Sequence, residues 1–196
     1  MTDFFTHLLP LMRDFSQWLG VREVSKESLN RALGMERSCC TIVPGGQAEI
    51  FSTRSWGDKV FLYRGHHGFV RMAYNHRARL VPVLSMGEWE LLDNVHLPWI
   101  QKPARRLLGF PVPFVPYGSH MLPLPRRPPH GITILVGQPI DCIPSADGKV
   151  SEADVQRTHA RYFDQLASMF ERHKASCGYP HMKLIMIDKG VEAPLD

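Results

Sequence analysis

Apolar residues recur at helical spacing in several parts of the chain, and this pattern predicts helices. The predicted helices of the first half and centre cover residues 3–19, 25–34, 68–76 and 99–108. Pro10 and Pro103 should interrupt the first and the last of these, because proline removes a donor from the helix. Ser25 is a good N-cap for the second.

The longest predicted helix runs from Ser151 to about Gly178. Ser151, with Asp154 three residues later, resembles a capping box, which favours a helix start at this point. The apolar residues that the spacing directs toward the core are Val155, Tyr162, Leu166, Met169 and Phe170.

Short apolar runs between these segments predict buried strands. They are Cys39–Val43, Lys59–Tyr63, Leu80–Leu84 and Ile132–Val136. The order strand, strand, helix, strand favours an α/β architecture, a sheet flanked by helices with at least partly parallel pairing. Residues 111–129 contain seven prolines and should form an extended surface loop.

Length and composition predict one folded domain over residues 1–196. Of these 196 residues, 44% are hydrophobic and 21% charged, which is typical of globular proteins and not of disorder. The sequence contains no run of 18 apolar residues and no signal-peptide pattern, so neither a spanning helix nor a signal peptide is predicted.

The net charge of +4 is compatible with an anionic membrane surface, a phosphorylated ligand or nucleic acid. We predict no nucleic-acid partner, because no basic tract or RNA-binding aromatic motif occurs. The four cysteines form no Cys-x-x-Cys pair, which argues against a zinc site or a disulfide framework and favours a reduced compartment. Asp58, Asp93 and Asp141 show no metal-ligand grouping, and we predict no metal.

Two glycines and a carboxylate follow the first predicted strand, in Pro44-Gly45-Gly46-Gln47-Ala48-Glu49. Such a turn lets backbone N–H groups approach a ligand, and the glutamate can accept a hydrogen bond from a hydroxyl. A tight turn with a purely structural role is the alternative interpretation.

Further short boxes follow in a specific order. They are Arg64–Val70, the Leu-Val-Pro-Val run that leads into Gly87-Glu88, Val136-Gly137-Gln138-Pro139-Ile140, and Gly178-Tyr179-Pro180. From about Leu11 to Pro180, this succession resembles the type-2 diacylglycerol acyltransferases, a family that includes monoacylglycerol and wax-ester acyltransferases.

The resemblance implies transfer of a fatty acyl group from acyl-CoA to diacylglycerol, on a glycerolipid-acyltransferase-like sheet. It implies no cofactor, with acyl-CoA as co-substrate, and location at the cytosolic face of the endoplasmic reticulum membrane or on lipid droplets. The substrate-binding residues that it implies are Lys26, Gly45, Gly46, Glu49, Arg64, Pro82 and Glu88. Among them, Gly45, Gly46 and Glu49 match the acceptor box, and Pro82 matches the proline that shapes the acyl site.

Ester formation needs a base for the acceptor hydroxyl. The family's presumed base belongs to a His-Pro-His-Gly motif that these 196 residues do not contain. We therefore expect the C-terminal portion of such an enzyme, without the family's base and with its catalytic residues unknown. His130, in Pro129-His130-Gly131, lies at the wrong place in the sequence order and should be an exposed loop histidine. His66 and His67 should cap a helix or lie partly exposed.

Two features leave alternatives open. Five basic residues could contact coenzyme A phosphates, contact a membrane surface or simply face solvent: Lys102, Arg105, Arg106, Arg126 and Arg127. The apolar stripe from Phe5 to Trp18 could lie in a bilayer interface or pack on the sheet. The missing motif and this apolar stripe together motivate a second hypothesis, a catalytically silent module that binds lipid or a partner and could form an oligomer with the full-length enzyme.

Overall fold

In the computed structural model, the described residues are 20–22, 25–36, 38–45, 57–94, 116–122, 124–144 and 150–188, together with Asp14 and Trp18. Their helices are α1 (Lys26–Asn30), continued by a π-helical turn at Arg31–Met35, α2 (Gly68–Asn75) and α3 (Glu152–His173). Three of the predicted helices thus agree with the structure to within a few residues. The helices predicted over 3–19 and 99–108 lie outside the described residues, apart from Asp14 and Trp18.

The strands of the described residues are β1 (Lys59–Tyr63), β2 (Val83–Met86), β3 (Asp93–Asn94), β4 (Pro116–Tyr117), β5 (Thr133–Val136) and β6 (Lys183–Ile187). They pair two by two. Strands β1 and β6 are parallel, whereas β2 with β5 and β3 with β4 are antiparallel. The mixture of helices and small sheets is an α/β architecture, and the predicted parallel pairing is confirmed for β1 and β6.

The chain divides into two compact units. The first comprises residues 1–44, 67–80 and 140–159, and the second comprises residues 45–66, 81–139 and 160–196. Helix α3 contributes its first turns to one unit and the remainder to the other.

The first unit is built around helix α2. Val70, Ala73 and Tyr74 occupy its buried side and pack with Cys142 and Val155. The Tyr74 hydroxyl shares a hydrogen bond of 2.9 Å with Thr158 Oγ1, so its polar atom is satisfied inside the core. This packing joins α2 to the beginning of α3.

The start of α3 is the capping box that the sequence predicts. Ser151 Oγ accepts a hydrogen bond of 3.1 Å from the Asp154 N–H and lies 2.7 Å from the Asp154 carboxylate. The Ser151 hydroxyl, followed by the nearby Arg157, holds the pKa of Asp154 below its usual value. The N-cap of α1 is confirmed too, because Ser25 Oγ accepts from the Ser28 N–H at 3.1 Å.

In the second unit, the end of β5 packs closely against α3. A Cβ atom on Gly137 would lie 2.8 Å from Met169 Sδ and 3.2 Å from the Pro82 carbonyl oxygen, so a larger residue there would require the Met169 side chain to move. Along α3, the predicted inward residues Tyr162, Leu166 and Phe170 are buried, whereas Met169 is half-buried.

Several sequence predictions are wrong. Residues 39–43 form no strand, and Val43 is 63% exposed, because an apolar run becomes a strand only when another backbone edge pairs with it. The strand predicted at Leu80–Leu84 begins at Val83, and Leu80 forms only an isolated bridge with Ile140. The proline-rich segment contains β4 and a short 3₁₀ turn at Ser119–Met121. Strand β6 was not predicted from the sequence.

Candidate functional site

Strands β2 and β5 bring together two of the sequence boxes. Val83 pairs with Val136, and beyond this pair the Gly137 N–H donates to the Pro82 carbonyl at 2.8 Å. Pro82 is fully buried, together with Leu84 and Met86, on the covered face of this ribbon. Pro82 therefore shapes the ribbon, and its side chain is not open to solvent.

The ribbon ends in a tight turn at Gly87–Glu90. Gly87 has φ +88°, and a Cβ atom there would lie 2.4 Å from the Gly131 carbonyl oxygen. Glycine is required both by the positive φ and by this close approach. Glu88, the carboxylate predicted to bind substrate, is the exposed side chain of the turn.

Tyr179 packs against this turn from the segment that follows α3. Its hydroxyl donates a hydrogen bond of 3.0 Å to Glu90 Oε2, and its ring meets Trp89 edge to face at 5.0 Å. Burial, followed by the hydrogen bond to Glu90, raises the pKa of Tyr179 to about 12. Neither Tyr179 nor Glu90 was among the predicted site residues, although Tyr179 lies in the Gly178-Tyr179-Pro180 box and Glu90 follows Gly87-Glu88 by two residues.

His130 is a further neighbour of Tyr179. The two rings meet edge to face at 5.3 Å, and the His130 ring lies so close to Gly178 that a Cβ atom there would clash. His130 is exposed, as predicted for a loop histidine. The segment Pro129-His130-Gly131 nevertheless borders the Gly87 turn, which its position in the sequence did not suggest.

Arg64 and Asp188 meet at the carboxyl ends of the parallel strands β1 and β6. The guanidinium forms two hydrogen bonds with the carboxylate, Nε–Oδ1 at 2.6 Å and Nη2–Oδ2 at 3.0 Å. The hydrogen bond to Asp188 raises the pKa of Arg64. Ligands of α/β proteins commonly bind at this edge of a parallel sheet. The predicted cation is therefore well placed, but Asp188 is its partner in this structure.

The remaining predicted residues are more dispersed. Lys26 is exposed in the first turn of α1, and Gly45 is buried in a turn. Gly46 and Glu49, and the basic residues Lys102, Arg105 and Arg106, lie outside the described residues.

The two neighbouring histidines have different surroundings. His67 occupies the N-cap position of α2, half-buried, and its ring stacks on that of His159 at 4.0 Å. His66 lies exposed, edge to face with Tyr63 at 5.1 Å. Both agree with the prediction of capping or partly exposed positions. Among the described residues, no group of three His, Cys, Asp or Glu side chains could hold a metal ion.

Comparison with known proteins identifies the family to which this chain is similar. The diacylglycerol acyltransferase family model matches residues 2–187. Human diacylglycerol O-acyltransferase 2 is 29% identical over 92% of this chain and 48% of its own length. Bovine 2-acylglycerol O-acyltransferase 1 is 31% identical over 90% of this chain and 55% of its own length. Umbelopsis ramanniana diacylglycerol O-acyltransferase 2B is 34% identical over 85% of this chain and 50% of its own length.

This chain therefore belongs to the diacylglycerol acyltransferase family, as the ordered boxes predicted. It spans about half the length of the curated relatives it matches. No solved structure matches it. Within the described ranges, none of the helices has the length and apolar character needed to cross a bilayer.

Proposed function

We propose that this chain provides substrate-binding elements of an enzyme that transfers a fatty acyl group from acyl-CoA to diacylglycerol, forming triacylglycerol. The observation that carries this proposal is the β2–β5 ribbon, in which two family boxes are hydrogen-bonded neighbours. The ribbon presents an exposed carboxylate, Glu88, at the turn where it ends. The relatives include both diacylglycerol and 2-acylglycerol acyltransferases, which supports an acylglycerol as the acceptor.

The proposed reaction is an exchange of a thioester for an ester. The acceptor hydroxyl oxygen attacks the thioester carbonyl carbon, the carbon–sulfur bond breaks, and coenzyme A leaves as the thiolate. A base takes the hydroxyl proton and returns it to the thiolate. We propose that this base belongs to a His-Pro-His-Gly segment outside these 196 residues, while Glu49 and Glu88 bind the acceptor hydroxyl groups.

Arg64 is proposed to bind the phosphates of coenzyme A. It lies at the carboxyl end of β1, and guanidinium groups bind phosphate through paired hydrogen bonds. A phosphate would then replace Asp188 as its partner. Exposed Arg127 is a second cation on the same unit of the structure, in the loop before β5.

The substrates also motivate the proposed location. Diacylglycerol partitions into bilayers, so we propose that the chain works at the cytosolic face of the endoplasmic reticulum membrane or on lipid droplets, and that it can associate with a full-length relative. Imaging of a fluorescent fusion together with membrane and droplet markers tests this location. A diffuse distribution that is unchanged by oleate loading would count against it.

The function is tested by measuring transfer of radiolabelled oleate from oleoyl-CoA in membranes of triglyceride-deficient cells. The chain alone should form no triacylglycerol, and co-expression of a His-Pro-His-Gly segment from a relative should restore the product. Diacylglycerol and 2-monoacylglycerol are supplied in parallel. If product formed from monoacylglycerol but not from diacylglycerol, monoacylglycerol would replace diacylglycerol as the proposed acceptor. If neither acceptor gave product, the proposal would be contradicted.

Matched variants connect that activity to the site. In the restored system, Glu88→Gln and Glu49→Ala should each reduce triacylglycerol formation. Glu152→Gln is the control, because Glu152 is an exposed glutamate whose carboxylate pairs with Arg71 in the first unit, whereas the ribbon belongs to the second. An equal loss in all three variants would indicate a general effect on folding and not on substrate binding.

A second candidate function is a silent module that binds lipid or a partner. The open face of the β2–β5 ribbon favours it, because Ile134 and Val136 are 65% and 68% exposed on an antiparallel pair whose outer face would ordinarily be polar. Sedimentation with liposomes and co-purification with a full-length relative test this candidate. It would be rejected if the chain did neither.

A further inference from the structure

We infer that Tyr179 is a positioning residue, which anchors the Gly87–Glu90 turn and so holds the Glu88 carboxylate where an acylglycerol hydroxyl can bind. This inference rests on the proposed function, because it takes an acylglycerol as the ligand of Glu88. Tyr179 itself would not contact the ligand, and its effect would pass through the turn.

The first contact joins Tyr179 to the backbone of the turn. A Cβ atom on Gly87 would lie 2.8 Å from the Tyr179 hydroxyl oxygen and 2.4 Å from the Gly131 carbonyl oxygen. Gly87 is buried between these two groups and has φ +88°. The phenol therefore lies directly against the point where the strand β2 changes direction.

The next contacts involve Trp89 and Glu90, two of the three residues that follow Gly87 in the turn. Glu90 Oε2 accepts the Tyr179 hydrogen bond at 3.0 Å, and the Trp89 ring packs edge to face on the tyrosine ring at 5.0 Å. The backbone closes the turn with the Glu90 N–H to the Gly87 carbonyl at 3.3 Å and the Leu91 N–H to the Glu88 carbonyl at 3.1 Å. Glu88 is left as the side chain that projects into solvent from a turn fixed on both sides.

Tyr179 is itself held firmly enough to act as an anchor. Its N–H donates to the Lys174 carbonyl at 2.7 Å, and its carbonyl accepts from the Met182 N–H at 3.2 Å. The His130 ring is a second edge-to-face neighbour of the Tyr179 ring, at 5.3 Å. The residue thus links the end of α3 to the ribbon that carries the candidate carboxylate.

The hydroxyl remains a donor throughout the neutral range. Burial and the neighbouring Glu90 raise its pKa to about 12, so the phenol stays protonated where the enzyme would work. A phenylalanine at this position keeps the ring contacts and removes only the hydrogen bond. A net hydrogen bond of this kind corresponds to about a threefold to tenfold change in an equilibrium constant.

A double-mutant cycle on the intact chain tests the inference. The readout is the Kd for 1,2-dioctanoylglycerol, measured for wild type, Tyr179→Phe, Glu88→Gln and the double variant. Tyr179→Phe should weaken binding by about threefold to tenfold. In the Glu88→Gln background the same change should have little further effect, because Tyr179 acts through Glu88.

Tyr74→Phe is the matched control. Tyr74 is also a buried tyrosine with a hydroxyl hydrogen bond, to Thr158 at 2.9 Å, but it belongs to the other unit. This change should leave the Kd unaltered. In the restored transfer assay, Tyr179→Phe should raise the KM for diacylglycerol and change kcat by less than about twofold, as expected when ground-state binding is lost.

The outcomes separate this inference from the proposed function. Additive effects of Tyr179→Phe and Glu88→Gln in a protein that binds the lipid would overturn the positioning role and leave the proposed function standing. Coupled effects on binding without any acyl transfer would support the positioning role and reject the function. Absence of dioctanoylglycerol binding by wild type would overturn the inference, since Glu88 would then have no acylglycerol to bind.

Discussion

Arg126 forms an ion pair with Asp93, with 2.8 Å between Nη1 and Oδ2. The Asp93 side chain is only 7% exposed and that of Arg126 34%, and the guanidinium also lies over the Tyr117 ring at 5.5 Å. The Arg126 N–H donates to the Leu91 carbonyl at 2.8 Å. From the sequence, Arg126 could contact phosphates or a membrane surface or face solvent, but these contacts make it a structural link between residues 91–93 and the proline-rich segment.

Asp93→Asn should therefore destabilise the protein. The substitution removes the negative charge beside a partly buried guanidinium, which should lower the free energy of unfolding by about 1–3 kcal/mol. Urea unfolding monitored by circular dichroism measures this change. Glu152→Gln, at the exposed ion pair with Arg71, is the control and should cost less than about 1 kcal/mol. Similar losses in the two variants would show that the burial of Asp93 does not matter.

Gly87→Ala should be more destabilising than Gly131→Ala. Both glycines have positive φ, +88° and +72°, so an alanine strains the backbone at either position, by roughly 1–2 kcal/mol. At Gly87 the new Cβ also meets the Gly131 carbonyl and the Tyr179 hydroxyl, whereas at Gly131 no atom lies within 4 Å. Thermal unfolding of both variants should therefore show a clearly lower Tm for Gly87→Ala. Equal Tm values would mean that the turn can move to accept the methyl group.

Local signals predicted the elements that local interactions determine. Lys59–Tyr63 was predicted with the observed limits, and Ser25, Ser151 and Asp154 cap helices as their spacing indicated. These predictions succeed because a buried run and a capping hydroxyl act within a few residues of each other. The resemblance to the family, carried by ordered boxes, was equally accessible from the sequence.

Pairing between strands that are distant in the sequence could not be predicted in the same way. Strand β6 pairs with β1, and Lys183 lies opposite Lys59, a residue far away in the sequence. The short apolar run that forms β6 contains no local signal that identifies β1 as its partner. Cys39–Val43 has the composition of a strand but does not form one in the structure. The contact between Tyr179 and the Gly87 turn also joins distant segments, which explains why Glu90 and Tyr179 were missing from the predicted site.

The phenol of Tyr179 should ionise only in strongly alkaline solution. Its pKa is raised from 10.0 to about 12, so the folded protein retains the proton where an unfolded chain loses it. The stability that this provides is fully present below pH 10, and it is lost as the pH rises through about 12. Phenolate absorbance during an alkaline titration should show a late-titrating tyrosine that Tyr179→Phe removes. An unchanged titration curve in that variant would contradict the assignment.

Arg64 and Asp188 should differ in their effects on acyl-CoA binding although they form one ion pair. Their side chains are 44% and 59% exposed, so breaking the pair should change the free energy of unfolding by less than about 1 kcal/mol. Arg64→Ala should nevertheless weaken binding of oleoyl-CoA, because it removes the cation proposed to bind the phosphates. Asp188→Ala should preserve or strengthen binding, because it releases the guanidinium from a competing carboxylate. Equilibrium binding of oleoyl-CoA to both variants, with Arg71→Ala as the control at an exposed ion pair elsewhere, measures this difference. Equal weakening by Arg64→Ala and Asp188→Ala would assign the pair a structural role at the ends of β1 and β6 and exclude Arg64 as the phosphate ligand.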